Sequence, residues 1–175
     1  MGSPPARRPT ADEQKTTDLA SMYDAQVRDV FGFVYRRCGD RSLAEEITQE
    51  VFVRLARYHN EHDRLPPAAW LYQVARNCLI DSWRSQAMRE RRLALVHSDA
   101  RRDAPDPADE VVSGDQVLAA LGQLPASQRA VLVLRYVDGL PVAEVAAGIG
   151  KSVKATESLL ARARRRLLSS FEGRA

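Results

Sequence analysis

Lysine is scarce in this chain of 175 residues: 3 of its 26 basic residues are lysine and the other 23 are arginine. Cysteine is scarcer still, with only Cys38 and Cys78. Two thiols far apart in sequence cannot build a disulfide framework. With no signal peptide at the start, the chain reads as cytoplasmic with reduced thiols. Aromatic residues make up 6% of the chain against 45% hydrophobic residues overall, a balance that suits packed helices better than β-sandwiches. No apolar run approaches the ~20 residues of a membrane span, so no membrane insertion is expected. There is no Gly-rich phosphate loop and no convincing nucleophile–base pair. Of the three histidines, His59-x-x-His62 and His97 form no ligand pattern with either cysteine, so neither a metal nor another cofactor is expected.

What the chain does have is an uneven charge. Residues 1–95 carry 15 basic and 13 acidic groups, residues 96–115 carry 2 and 6, and residues 116–175 carry 9 and 4. The C-terminal part therefore holds a net +5 behind an acidic spacer of net −4, which suits a polyanionic partner for that part. Within it, Pro141 to Leu168 reads as a short helix, a turn at Gly148-Ile149-Gly150 and a longer basic helix. Ser152 is placed to N-cap the second helix. Val153, Thr156, Leu160, Ala163 and Leu167 share one face of that helix, and Lys154, Glu157, Ser158, Ala161, Arg162 and Arg165 share the other. This is the helix-turn-helix pattern, whose second helix enters the DNA major groove. An αα-hairpin with a solvated basic face would show the same periodicity.

Earlier in the chain, residues 1–16 carry little to bury and are expected to form a disordered tail. A first helix is expected from Thr17 to Arg37, with Leu19, Met22, Tyr23, Val27, Val30, Phe31, Val34 and Tyr35 on its buried face. Ser42-Leu43-Ala44-Glu45 reads as a capping box opening a second helix that ends near Tyr58. Ile47, Val51, Phe52 and Leu55 face its core, and Glu45, Glu46, Gln49, Glu50 and Arg54 face outward. His59 to Pro67 reads as a loop. A third helix from Ala68 to Met88 or beyond buries Leu71, Val74, Ala75, Cys78 and Leu79. Its other side offers Gln73, Arg76, Asn77, Asp81 and Arg84, among Trp70, Tyr72 and Trp83. Aromatic rings interleaved with Arg and Asn suit unstacked bases, although Trp70 could equally be core and Trp83 half-buried. Residues 93–115 read as a linker, and two further helical stretches precede the helix-turn-helix, one near Asp115 and one after Pro125.

Three segments in this order resemble the extracytoplasmic-function (ECF) type of bacterial RNA polymerase sigma factor. Ala44-Glu-Glu-Ile-Thr-Gln-Glu-Val-Phe52 is similar to the family's AED(L/I)xQE(x)F signature. Trp70-Leu-Tyr-Gln-Val-Ala-Arg-Asn77, with Asp81 and Arg84, is similar to its WLxxIAxNxxxDxxR segment. Leu124-Pro-Ala-Ser-Gln-Arg-Ala-Val-Leu-Val-Leu134 through Arg162-Ala-Arg164 resembles its C-terminal DNA-binding domain.

The resemblance implies an all-α protein of two small helical domains joined by a flexible acidic linker. Residues 17–92 would form the N-terminal domain, 93–115 the linker and 116–170 the helix-turn-helix domain. It implies core RNA polymerase, promoter DNA and an anti-sigma protein as partners. Glu45, Glu46, Gln49 and Glu50 would grip the polymerase. Asn60, Trp70, Arg76, Asn77, Asp81 and Arg84 would serve the minus-10 element, with Asn60 to Leu65 helping to form a pocket for an extruded base. Ser152, Lys154, Glu157, Ser158, Arg162 and Arg165 would serve the minus-35 element.

The sequence departs from the family's pattern at three places. Leu43 stands where Asp is common, Glu157 where a basic residue is usual and Leu159 where Arg is usual. On the DNA, Glu157 can accept from a cytosine amino group and Leu159 can touch only a thymine methyl. Two rival readings remain. An ordinary helix-turn-helix regulator would leave the N-terminal helices without a role. A nuclease using Glu45, Glu46 and Glu50 on a shared metal would need a cleft rather than an open helix face.

Overall fold

The computed structural model describes residues 11–96 and 114–172, and their regular structure is helical throughout. Seven α-helices follow in order: α1 (Ala11–Cys38), α2 (Arg41–His62), α3 (Ala68–Val96), α4 (Gly114–Gln123), α5 (Ala126–Leu132), α6 (Val142–Ile149) and α7 (Val153–Glu172). Helices α1 to α3 pack on one another around Val30, Val34, Val51, Leu55, Leu71 and Leu79, all essentially without exposure. Helices α4 to α7 enclose Val131, Val133, Leu134 and Val145.

The helix starts and stops differ from expectation in instructive ways. Helix α1 begins at Ala11, so residues 11–16 are helical rather than part of a tail; residues 1–10 lie outside the described residues. Tyr23 and Tyr35 sit toward its exposed side, Tyr23 meeting Phe52 edge-on at 4.8 Å and Tyr35 stacked on Phe31 at 5.9 Å. Helix α2 is capped by Asp40, whose carboxylate accepts from Leu43 N–H at 3.1 Å, and not by Ser42. Aspartate satisfies an orphan donor as well as serine does, and the chain reaches it first after the Gly39 turn. The helix then continues four residues past Tyr58 to His62, where Asp63 turns left-handed at φ 53 and closes the end on His59 O. The expected loop therefore shrinks to residues 63–67. At its far end α3 runs on through Leu93 to Val96, taking the first residues of the expected linker; residues 97–113 lie outside the described residues.

Between α5 and α6 the helix widens. Residues Val133–Val137 form a π-helical turn, with Asp138 N–H donating to Val133 O five residues back at 3.0 Å. Such turns redirect a helix end, and here the turn delivers Asp138.

The two halves meet along a continuous core. Helix α3 packs on α5 and α6, and α1 packs on α4. Gly39 shows how closely: its φ of +65 suits glycine, and a Cβ there would lie 2.9 Å from Leu118 O of α4. The carboxylate of Glu90 on α3 accepts from Ala126 N–H at 3.1 Å, capping α5 from the other half of the molecule.

Candidate nucleic-acid interfaces and an acidic helix face

The turn into α7 is built by backbone bonding. Gly150 adopts φ 67, Gly150 N–H reaches Ala147 O and Lys151 N–H reaches Ala146 O at 2.9 Å. Ser152 then caps α7, its Oγ accepting from Ala155 N–H at 3.2 Å. From this start Thr156, Leu159, Leu160 and Ala163 are buried, while Lys154, Glu157, Ser158, Ala161, Arg162 and Arg165 face solvent in one row. Ser158 Oγ donates to Lys154 O at 3.0 Å, and Arg162 Nε lies 3.4 Å from Ser158 O, too long to restrain the guanidinium. Two expectations change. Leu159 is 6% exposed and belongs to the core, so it cannot touch a thymine methyl. Val153, placed on the inner face, is 46% exposed because it opens the helix beyond the reach of the core.

The expected minus-10 residues on and near α3 are dispersed in their surroundings. Asn77 and Asp81 are exposed. Trp70 is half-buried with its ring 5.3 Å from that of Tyr58. Trp83 is 2% exposed and is a core residue, not a stacking platform. Asn60 lies on the last turn of α2 rather than in a loop, with its side chain exposed. Arg76 and Arg84 point into the seam between the two halves. Arg76 Nε lies 3.3 Å from Asp138 Oδ2, without hydrogen-bond alignment. Arg84 donates to Ala147 O at 3.1 Å and lies 3.6 Å from Asp81 Oδ1.

Asp138, which the sequence alone did not single out, is the centre of this seam. Its side chain is 1% exposed and takes two hydrogen bonds at Oδ1 from Arg37, at 3.0 Å from Nε and 2.8 Å from Nη2. Arg37 also donates to Phe33 O and lies over the Phe33 ring at 3.5 Å. Such a two-pronged contact fixes orientation as well as charge. A second missed residue is Arg129, buried among carbonyls. It donates to Leu121 O, Gly122 O and Leu124 O, and to Cys38 O across the seam at 3.2 Å. Burial pushes its guanidinium pKa below the ordinary arginine value, opposed by the nearby carboxylates of Asp40 and Glu90. A lone arginine among apolar helix positions was a legible signal for Arg129. Asp138 had none, because its partner lies 101 residues away.

On α2, Glu45, Glu46 and Gln49 are exposed and Glu50 is half-buried. Arg41 pairs with Glu45 at 2.9 Å and Arg54 with Glu50 at 2.7 Å, both one helical turn apart. Exposed pairs of this kind contribute about 0.3–0.5 kcal/mol, so they orient the carboxylates at little cost to a competing partner. Both cysteines are free and buried, and burial raises both thiol pKa values above 9.0. Among the described residues no three His, Cys, Asp or Glu side chains gather to hold a metal, and no helix is long and apolar enough to cross a membrane.

Comparison with known proteins joins these surfaces to a family. The family described as Sigma-70 region 2 matches residues 22–89, and Sigma-70, region 4 matches residues 114–167. The ECF RNA polymerase sigma factor SigX of Bacillus subtilis is 32% identical over 145 residues, which cover 78% of this chain and 73% of the relative. SigM of the same organism is 30% identical over 155 residues, covering 87% and 94%. Among solved structures, the sigma factor RpoE of Bartonella quintana, in complex with the anti-sigma factor NepR, aligns with a TM-score of 0.49 and 20% identity over 89% of this chain and 97% of that one. By its two matched regions and its curated relatives, the chain belongs to the ECF-type RNA polymerase sigma factors, which are regulatory DNA-binding proteins rather than enzymes.

Proposed function

We propose that this chain binds core RNA polymerase through the acidic face of α2, takes the minus-35 element on α7 and takes the minus-10 element on α3. The observation that carries the reading is the division of α7: one full row buried and Lys154, Glu157, Ser158, Arg162 and Arg165 in solvent. A helix so divided presents side chains to a groove without disturbing its own packing. On α2, Glu46 and Glu50 with Glu45 and Gln49 offer a basic partner a preformed anionic surface. On α3, Asn77, Asp81 and Arg84 are open to a single strand, and Arg76 becomes more so if the seam opens. The chain acts in the cytoplasm with the polymerase, and an anti-sigma protein holds it inactive, as is common in this family.

In-vitro transcription with core polymerase on a library of promoter fragments tests this directly. Transcripts should start at a shared two-part motif and disappear in a Glu46→Lys/Glu50→Lys variant whose helical content and thermal midpoint are unchanged. Tight, sequence-selective duplex binding by the free chain, with no transcripts, would instead favour a polymerase-independent helix-turn-helix regulator.

A further inference from the structure

Where α3 faces α5 and the α6–α7 turn, the halves leave a cleft of about 430 Å³, within the size range of small-molecule sites. Ile80, Met88 and Ile149 give it an apolar wall, and Arg84, Arg91 and Lys151 reach it with positive charge. No carboxylate lines it. Arg84 is partly engaged by Asp81 and by Ala147 O. The side chains of Arg91 and Lys151 have no hydrogen-bond or ion-pair partner among the described residues.

Lys151 is the unusual one. It is half-buried, and burial, then Arg91 and then Arg162, push its ammonium pKa below 10.5. The fold needs only its backbone N–H, which donates to Ala146 O and which any residue except proline would supply. A cation held among like charges, without a partner among the described residues and without a structural task, is a cost that a bound anion would relieve.

We propose that this cleft binds an organic phosphate, its phosphoryl group between Arg91 and Lys151 and a flat or apolar body against Ile80, Met88 and Ile149. Two converging cations suit a dianion better than a carboxylate, and lysine and arginine are the usual phosphate-binding side chains. Arg91 belongs to α3 and Lys151 to the α6–α7 turn, so the ligand bridges the two halves. The site stands on the cleft alone and does not depend on the promoter reading.

Titration calorimetry on the full chain tests the site, with inorganic phosphate, pyrophosphate, adenosine diphosphate and guanosine diphosphate as probes. At least one nucleoside diphosphate should bind saturably and at least tenfold more tightly than pyrophosphate. Arg91→Gln and Lys151→Gln should each weaken that binding at least tenfold, while the thermal midpoint without ligand stays level or rises as like-charge repulsion is removed. Three results overturn the proposal: no saturable binding of any probe up to millimolar concentration, binding that survives either substitution, or pyrophosphate binding as tightly as the nucleotides. A more than twofold loss of holoenzyme binding to promoter DNA, measured without any nucleotide, in both variants also overturns it, because it would assign these cations to the DNA backbone.

Discussion

The two candidate DNA-binding helices differ in one respect that matters. On α7 the outward row is exposed to solvent, and Ser158 and Arg162 make local hydrogen bonds to the helix's own backbone. On α3 the corresponding arginines are drawn into the seam, Arg76 toward Asp138 and Arg84 onto Ala147 O. Both helices are amphipathic, and their outward faces read alike in sequence. The difference is tertiary: among the described residues nothing covers the outer side of α7, whereas α3 lies along the contact between the halves. In this closed arrangement one candidate surface is open to solvent and the other is partly occupied by the protein itself.

The strongest way to break the comparison is to remove the seam's buried supports. Arg129→Ala leaves four carbonyl groups without their shared donor. It should cost about 3–5 kcal/mol in urea denaturation, since each abandoned buried group carries its own desolvation penalty. Leu159→Ala should cost about 2–4 kcal/mol, because that side chain is core. Glu157→Ala, two residues earlier and exposed, should stay within about 0.5 kcal/mol. Equal effects at the two positions would mean that α7 is rotated from the orientation described. Asp138→Asn should cost about 2–3 kcal/mol by weakening the charged bonds from Arg37. It should also increase the radius of gyration in solution scattering as the halves separate; an unchanged radius would show that the halves hold together without the Arg37–Asp138 pair. The smallest effect is expected on the open helix. Arg162→Ala should leave stability unaltered, weaken holoenzyme binding to all promoter sequences alike and lower the salt slope by about one. A sequence-dependent loss would move Arg162 from phosphate to base contact.

Several elements were legible from residues alone. The capping serine at Ser152, the left-handed Gly150 and the buried positions Thr156, Leu160 and Ala163 follow from local rules, because a helix start and a helix face are decided within a few residues. The same rules misplaced the start of α2, where Asp40 and Ser42 are both good caps and only the geometry after Gly39 selects between them. They left Trp83 open between stacking on a base and a half-buried structural place. Its position on α3 lies at the border between the faces of the N-terminal bundle, and it is buried where α3 meets the other half. Leu159 was misread through the family's pattern, which places an arginine there. An arginine can extend past the core edge to solvent, and leucine at the same position has no reason to.

By itself the sequence determined an all-helical chain, the order of its helices, the acidic outer face of α2 and the solvated basic row of α7. These are periodic or nearest-neighbour properties, carried by residues three or four positions apart. The tertiary structure alone decided which arginines are spent. Asp138 meets Arg37 and Arg76, Arg129 reaches Cys38 O and Glu90 caps α5, all across the seam between the halves. The cleft beside them likewise exists only because α3 and the α6–α7 turn come together. No periodicity links groups that far apart in the chain, and only the packing of apolar faces brings them within bonding distance.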